Sequence, residues 1–512
     1  MTAVHGDQNT YNYCVPLNSK ETGLQHLFQT IGKVDALHTS QARFPPPKCH
    51  DQTRTVILGQ LSNWIKGHSL RSSWRTTDFM GRLRRKTKIT NPSAAFPDLI
   101  DDCIAHNALS HSAPIHWLYG PAGVGKSAIA QTICENSDGF RGKKHLAASF
   151  FFSRSSPTRN HPKYLILTIA YCLATSCKDS RLRATIDKVV KTNPAVLDAS
   201  LSNQFRELVI KPINSLSEWR KARLPKLVVI DGLDECLGSD SQKLVLNTLF
   251  SGLVDQESEP LKLRIPLRFL IASRPEPTIR SFFKQTTDSG ISIHTYLDND
   301  REVARDIAVY LRDEFALIYQ THRDSMNSVQ WPWPPEHIIQ ELVHRASGQF
   351  IYASTVLKYV GNDHHENLFP PKRLEAVLAL PLGDIDKDAF ADLDILYHQI
   401  LDESPTNLVV TVLAFVLLTH GHRLSDMHIL EQIFLLPTGA VSTTLRRLHS
   451  VLSISLEDDT VNVHHKSFED FLGDEIRSKQ YYIDSLAYFE QFMDYCRDAI
   501  CDIESGDSSL DW

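Results

Sequence analysis

Gly120-Pro121-Ala122-Gly123-Val124-Gly125-Lys126-Ser127 decides how this 512-residue chain is read. The spacing is GxxxxGK[ST], and each part of it has a physical reason. Glycines let successive backbone N–H groups curl around phosphate oxygens with no Cβ in the way. The loop then opens a helix, from Ala128 onward, whose unsatisfied N–H groups and dipole favour an anion. Lys126 has the length to reach the β- and γ-phosphates of a nucleotide, and the Ser127 hydroxyl suits Mg²⁺. The context agrees: an apolar strand, Ile115–Tyr119, precedes the loop, and a helix-forming run, Ala128 to Ile133, follows it.

Outward from the loop, Leu227-Val228-Val229-Ile230-Asp231 is the next informative stretch. Four apolar residues in a row read as a strand buried on both faces, with Asp231 emerging at its C-terminal end to hold Mg²⁺ directly or through water. Gly232-Leu233 brings Asp234 and Glu235 in close behind, where a carboxylate can orient or deprotonate an attacking water. A further strand, Leu267 to Ala272, delivers Ser273 and Arg274. Arg274 reads either as a sensor of the γ-phosphate or as a solvent-facing side chain at a strand end. With Ala148–Ser153 and Ile291–Tyr296, these strands alternate with helical stretches over 115–300. That is the pattern of an α/β domain with a largely parallel sheet. No NKxD-type guanine-reading motif follows, which favours ATP over GTP.

Composition excludes other classes. At 42% hydrophobic and 22% charged the chain is an ordinary globular one. A net charge of -6 gives no global attraction to nucleic acid or an anionic membrane. The longest apolar run, Leu408 to Leu418, is too short to span a bilayer. Met1 to Tyr13 is polar and lacks the apolar core of a secretion signal. The nine cysteines are scattered, and the closest pairs, Cys172/Cys177 and Cys496/Cys501, fit neither CxxC nor a zinc pattern. A cytoplasmic protein with reduced thiols is the expectation. Residues 71–88 hold seven Arg or Lys against one acid, Asp78. Such a run suits a nucleic-acid arm or a solvated linker, and no groove-reading motif accompanies it.

Elsewhere helical periods dominate. Leu24, Leu27, Phe28, Ile31 and Val34 keep one, and Ile57, Leu61, Trp64 and Ile65 another, with Pro45-Pro46-Pro47 breaking the chain between them. Val303, Ile307, Tyr310 and Leu311, after a capping Asp300, open a helical region to about residue 403. The stretch 405–472 reads as three helices (406–418, one from Asp426 capped by Ser425, and one around Val441–Leu452) and a hairpin. The hairpin turns at Glu457-Asp458-Asp459 and returns along Val461–His465, the layout of a winged helix. Period-two alternation places His465 on the face of Val461 and Val463, pointing inward, where a polar ring needs a partner. The third helix offers only Arg446 and Arg447 to a DNA groove. The chain thus divides by pattern into an N-terminal helical segment (1–66), a basic linker or insertion (67–114) and a P-loop NTPase domain (115–300). An all-α domain (301–404), a winged-helix domain (405–480) and a C-terminal helical tail (481–512) follow.

LVVIDGLDEC at 227–236, together with the P-loop and IASRP at 271–275, resembles the NACHT group of signalling NTPases, in particular fungal nephrocystin-type NACHT proteins. GDQNTYNY at 6–13 and ARFPPPKCHDQTR at 42–54 look like the N-terminal segment of such proteins. FFFSR at 150–154 and SGQFIYAS at 347–354 look like their second strand and helical domain. HKSFEDFL at 465–472 resembles the histidine motif of the winged helix in animal immune receptors. The resemblance implies a switch, closed with ADP and opened by exchange to ATP, that then assembles into homo-oligomers and engages a protein effector. It further implies slow, regulatory hydrolysis, with His465 reaching the β-phosphate of ADP. Related proteins carry a Gly-x-Pro near the adenine; here Gly348 is present, but Phe350 stands in place of the proline. No WD, ankyrin or tetratricopeptide pattern follows the winged helix. A constitutive P-loop ATPase or kinase, and a scaffold that retains nucleotide for stability, are the competing readings of the same residues.

Overall fold

Leu227–Asp231 is buried along its whole length, as an uninterrupted apolar run in a parallel sheet demands. Around it a computed structural model describes residues 22–67, 113–139, 144–154, 156–177, 179–253, 267–286, 290–297, 301–361, 369–381, 390–402 and 406–419. It also describes residues 431, 437–441, 445, 448, 450–455, 460–463, 465–490 and 492–493. The motif at 6–13, the basic run 71–88, Asp300, Ser425, Asp426, Arg446, Arg447, the turn 457–459, His464, Cys496 and Cys501 lie outside the described residues. The chain forms two compact units: residues 1–48, 56–119 and 127–295 in one, and 49–55, 120–126 and 296–512 in the other.

The first unit is built on a five-stranded sheet: β1 (Ile115–Tyr119), β2 (Leu146–Phe151), β3 (Leu227–Asp231), β4 (Arg268–Ser273) and β5 (Ser292–Tyr296). Their order is β2-β3-β4-β1-β5. The pairs β2/β3, β3/β4 and β1/β4 are parallel. The strand of the phosphate loop and the strand of Asp231 are therefore not neighbours, because β4 runs between them. Register brings three strand ends level at one edge of the sheet, with Tyr119 beside Ser273 and Asp231 beside Ala272. Trp117 Nε1 donates to Ser273 Oγ at 2.9 Å and tightens that edge.

Seven helices of ten residues or more accompany these strands among the described residues of this part of the chain. They are α1 (Thr22–Ile31), α2 (Thr55–Lys66), α3 (Lys126–Ser137), α4 (Leu165–Ser176), α5 (Ser180–Thr192), α6 (Ser239–Ser251) and α7 (Pro277–Thr286). Helix α4 is apolar nearly all round and packs on β2, so it lies within the core. Helix α1 packs on α5, and residues 32–54 between α1 and α2 form no α-helix. The second strand differs from the expected Ala148–Ser153 and is two residues earlier. Its partner β3 ends at Asp231, paired with Phe151, so Phe152 and Ser153 have no strand left to pair with. Instead Phe152 N–H donates to Asp231 O at 2.9 Å and Ser153 N–H to Arg159 O at 3.2 Å.

The second unit is mainly helical, with α8 (Arg301–Thr321), α9 (Glu336–Ala346), α10 (Phe350–Val360), α11 (Pro370–Ala379), α12 (Ala391–Asp402) and α13 (Thr406–Thr419). Their apolar faces meet in one core that includes Leu311, Phe315, Tyr352, Val356 and Leu396. An antiparallel hairpin, β6 (Leu452–Ser455) and β7 (Thr460–Val463), leads to α14 (Lys466–Leu472), whose Phe468 and Phe471 pack around Tyr397.

His465 is a correction. The strand stops at Val463, and His465 is the N-cap of α14 rather than a residue on the inward strand face. Its Nδ1 accepts from Ser467 N–H at 3.1 Å and lies 2.7 Å from Ser467 Oγ. The helical period of Phe468, Phe471 and Leu472 overrides the strand alternation here.

Candidate phosphate-binding site

The loop Gly120–Lys126 leaves β1 at Tyr119 and enters α3 at Lys126, the strand–loop–helix arrangement its sequence anticipates. Gly123 and Gly125 adopt φ +78° and +88°, in the left-handed region that other residues occupy only at a cost. At Gly123 space is closed as well, since a Cβ there would stand 2.4 Å from Ile351 Cγ2. Lys126 Nζ donates to Gly120 O at 2.8 Å and Pro121 O at 2.6 Å, which arches the ammonium over the start of the loop. Ala122 and Val124 are buried, whereas Pro121, Gly125, Lys126, Ser127 and Ala128 are partly exposed.

The acidic residues lie where β3 ends. Asp231 is 5% exposed and Asp234 4% exposed. Asp234 Oδ1 accepts from the main-chain N–H of Arg274 at 3.0 Å, and its Oδ2 lies 3.3 Å from Arg274 Nε. Arg274, the residue just past β4, is therefore engaged by the carboxylate rather than directed simply to solvent. Glu235 Oε2 accepts from the N–H of Arg154 at 3.2 Å, while Arg154 Nη2 donates to Asp234 O at 3.2 Å. The loop after β2 thus braces the acidic turn, a role that FFFSR does not reveal in isolation.

Two further arginines belong to this description, and neither was singled out from the sequence. Arg43 Nη1 donates to Gln131 Oε1 of α3 at 2.8 Å, and its guanidinium carbon lies 3.4 Å over the Phe151 ring. Burial pulls the Arg43 pKa down to about 10, against the opposing pull of Asp231. Arg54 Nη2 donates to Val124 O of the phosphate loop at 2.6 Å. Nothing periodic marks either position, because their partners are remote in sequence.

Among the described residues no three His, Cys, Asp or Glu side chains gather as a metal site. A hydroxyl at Ser127 and a carboxylate at Asp231 are hard oxygen donors of the kind Mg²⁺ takes. That ion is usually held by one or two protein oxygens, with phosphates and water completing the shell. The donor set fits a nucleotide-borne Mg²⁺ and not a protein-only cage. Cys172 and Cys177 are unbridged, and burial raises both thiols to about 12.

Residues 100–274 match the family described as Nephrocystin 3, N-terminal. The match covers about a third of the chain and spans the loop, β3 and Arg274. The strand–loop–helix and the parallel sheet are those of a P-loop fold. No curated protein sequence matches the chain. Among solved structures, the ORC2 protein of Aeropyrum pernix, determined as ADPNP-ADP complexes, is similar at 10% identity, covering 81% of this chain and 97% of that one. The TM-score is 0.30. Among the described residues no helix is long and apolar enough to cross a membrane.

Proposed function

We propose that the chain is a nucleotide-dependent signalling switch that binds ATP or ADP with Mg²⁺ and hydrolyses ATP slowly. The observation that carries the reading is the GPAGVGKS loop, with left-handed glycines, set between a buried strand and the N-terminus of α3. Lys126 would contact the β/γ-phosphates, and Ser127 and Asp231 would hold Mg²⁺. Glu235 or Asp234 would orient water, and Arg274 would sense the γ-phosphate by leaving Asp234. The NACHT-like assignment, a winged helix over 405–480, assembly into homo-oligomers with a protein effector, and a role in fungal innate immunity or self/non-self recognition rest on the sequence motifs. Because Nδ1 of His465 serves the α14 cap, a contact with the β-phosphate of ADP would fall to Nε2. The constitutive ATPase and the nucleotide-stabilised scaffold remain the alternatives.

The test is the nucleotide released on denaturing the purified chain, with calorimetric titration of ADP and MgATP into stripped protein. Bound ADP and turnover well below about 1 s⁻¹ fit a switch. Lys126→Ala should weaken binding by roughly a hundredfold, through loss of a charge-assisted phosphate contact. Equal affinity of wild type and Lys126→Ala would remove the basis of the proposal. Fast unstimulated turnover would favour the constitutive enzyme.

A further inference from the structure

Two carbonyls of the phosphate loop are held from outside the loop. Val124 O accepts from Arg54 Nη2 at 2.6 Å, and Gly123 O from the main-chain N–H of Ile351 at 3.3 Å. A trans peptide is planar, with its N–H opposite its C=O. Fixing the carbonyls of Gly123 and Val124 therefore fixes the direction of the N–H groups of Val124 and Gly125. Successive N–H groups aimed at one point are what an anion-binding nest requires.

Arg54 is built in rather than draped over the surface. It is 7% exposed, and its guanidinium carbon lies 5.0 Å from the centroid of the Phe350 ring. Its main-chain N–H donates to Asp306 Oδ2 at 2.7 Å, and its φ of +55° is one that a non-glycine residue adopts only when its surroundings hold it there. His50, four residues earlier, contacts Asp313 Oδ2 at 2.9 Å, so the segment is tied to α8 at two points. Arg54, the loop, α8 and α10 all belong to the second compact unit.

We propose that Arg54 is a positioning residue for nucleotide binding: its guanidinium, seated on Phe350, holds the Val124–Gly125 peptide with its N–H turned toward the phosphates. The proposal rests on the nucleotide-binding reading above. Linkage then requires the reverse effect, so that a bound polyphosphate strengthens the hold on Arg54 and the first turn of α10.

The experiment titrates ADP and MgATP into the full chain for wild type, Arg54→Ala, Arg54→Lys and Phe350→Leu. Arg54→Ala is expected to weaken both nucleotides by about tenfold or more, and tenfold corresponds to about 1.4 kcal/mol. Arg54→Lys should recover part of this, since an ammonium can still donate to Val124 O but cannot stack as a plane. Millimolar guanidinium ion should restore part of the affinity of Arg54→Ala, which a general loosening of the fold would not allow. Should Arg54→Ala not fold, Arg54→Lys and Phe350→Leu carry the test, each expected to weaken binding by about threefold. Wild type that binds neither nucleotide overturns the functional reading itself. Wild-type binding with every variant within twofold of it overturns the role of Arg54 alone. So does a loss in Arg54→Ala that neither lysine nor guanidinium relieves.

Discussion

Replacing Arg274 by alanine strips the guanidinium from a carboxylate that has almost no access to water. Asp234 has a side chain 4% exposed and Arg274 one 24% exposed, with Nε 3.3 Å from Oδ2. Breaking a buried pair from one side costs about 3–5 kcal/mol, because an uncompensated charge is left behind. Two features reduce that figure here. The main-chain N–H of residue 274 stays on Oδ1 after truncation, and the guanidinium is already partly hydrated. A loss of about 2 kcal/mol is the expected outcome. At about 2–4 °C per kcal/mol for a domain of roughly 150–250 residues, the transition containing the sheet falls by about 4–8 °C. Scanning calorimetry of the nucleotide-free chain measures this. Asp234→Asn combined with Arg274→Ala should recover at least about 1 kcal/mol, since the charge that needed the partner is gone. A shift under about 1 °C for Arg274→Ala, with additive behaviour in the double variant, would falsify the pairing. The same variant separates structure from sensing. A γ-phosphate sensor loses affinity for MgATP and keeps its affinity for ADP, whereas a purely structural arginine changes both alike.

The cap at His465 predicts a split between two substitutions. His465→Ala should lose about 1 kcal/mol of stability while His465→Asn, a good capping residue, should hold it. If Nε2 grips ADP, the ADP off-rate rises in both variants, and an unchanged off-rate in His465→Asn confines the residue to the cap. Burial holds His38 down to about 4 and His116 to about 3, both from 6.5. The unfolded chain therefore binds these protons first, so the stability these two groups contribute is complete above pH 6.5 and drains as pH falls toward about 4 for His38 and about 3 for His116. The slope from these two groups is up to about 1.4 kcal/mol per pH unit for each histidine. Urea midpoints across that window check the sign, and His38→Gln should reduce the slope by one proton's worth.

The features of the fold that were legible in the sequence are those set by neighbours along the chain. Four apolar residues before Asp231 are enough to specify a strand buried on both faces, whatever it pairs with. Where a boundary depends on a partner, local pattern overshoots. The apolar run continues through Phe152, and only the length of β3 ends β2 at Phe151. His465 failed differently, because two periods overlap at that point. Alternation through Val461 and Val463 competes with Phe468, Phe471 and Leu472 at helical spacing. The helix prevails because His465 can satisfy its first turn.

At the site the same division recurs between what a motif encodes and what tertiary packing supplies. The phosphate loop is a contiguous motif, so Gly120 to Ser127 could be read in full. The groups that hold the loop and the acidic turn in shape could not. Arg43 and Arg54 come from a segment with no helical period, and Arg154 from a loop whose sequence suggests only the end of a strand. Each contacts backbone or a side chain far along the chain: Arg54 on Val124 O, Arg43 on Gln131, Arg154 on Asp234 O. A buried guanidinium is tolerated only where such acceptors already converge. A buried arginine whose acceptor is remote in sequence is thus a sign that a backbone segment elsewhere needs holding. In this chain the segment so held is the phosphate loop, by Arg54, while the half-buried Arg43 and the exposed Arg154 reach its helix and the turn after Asp231.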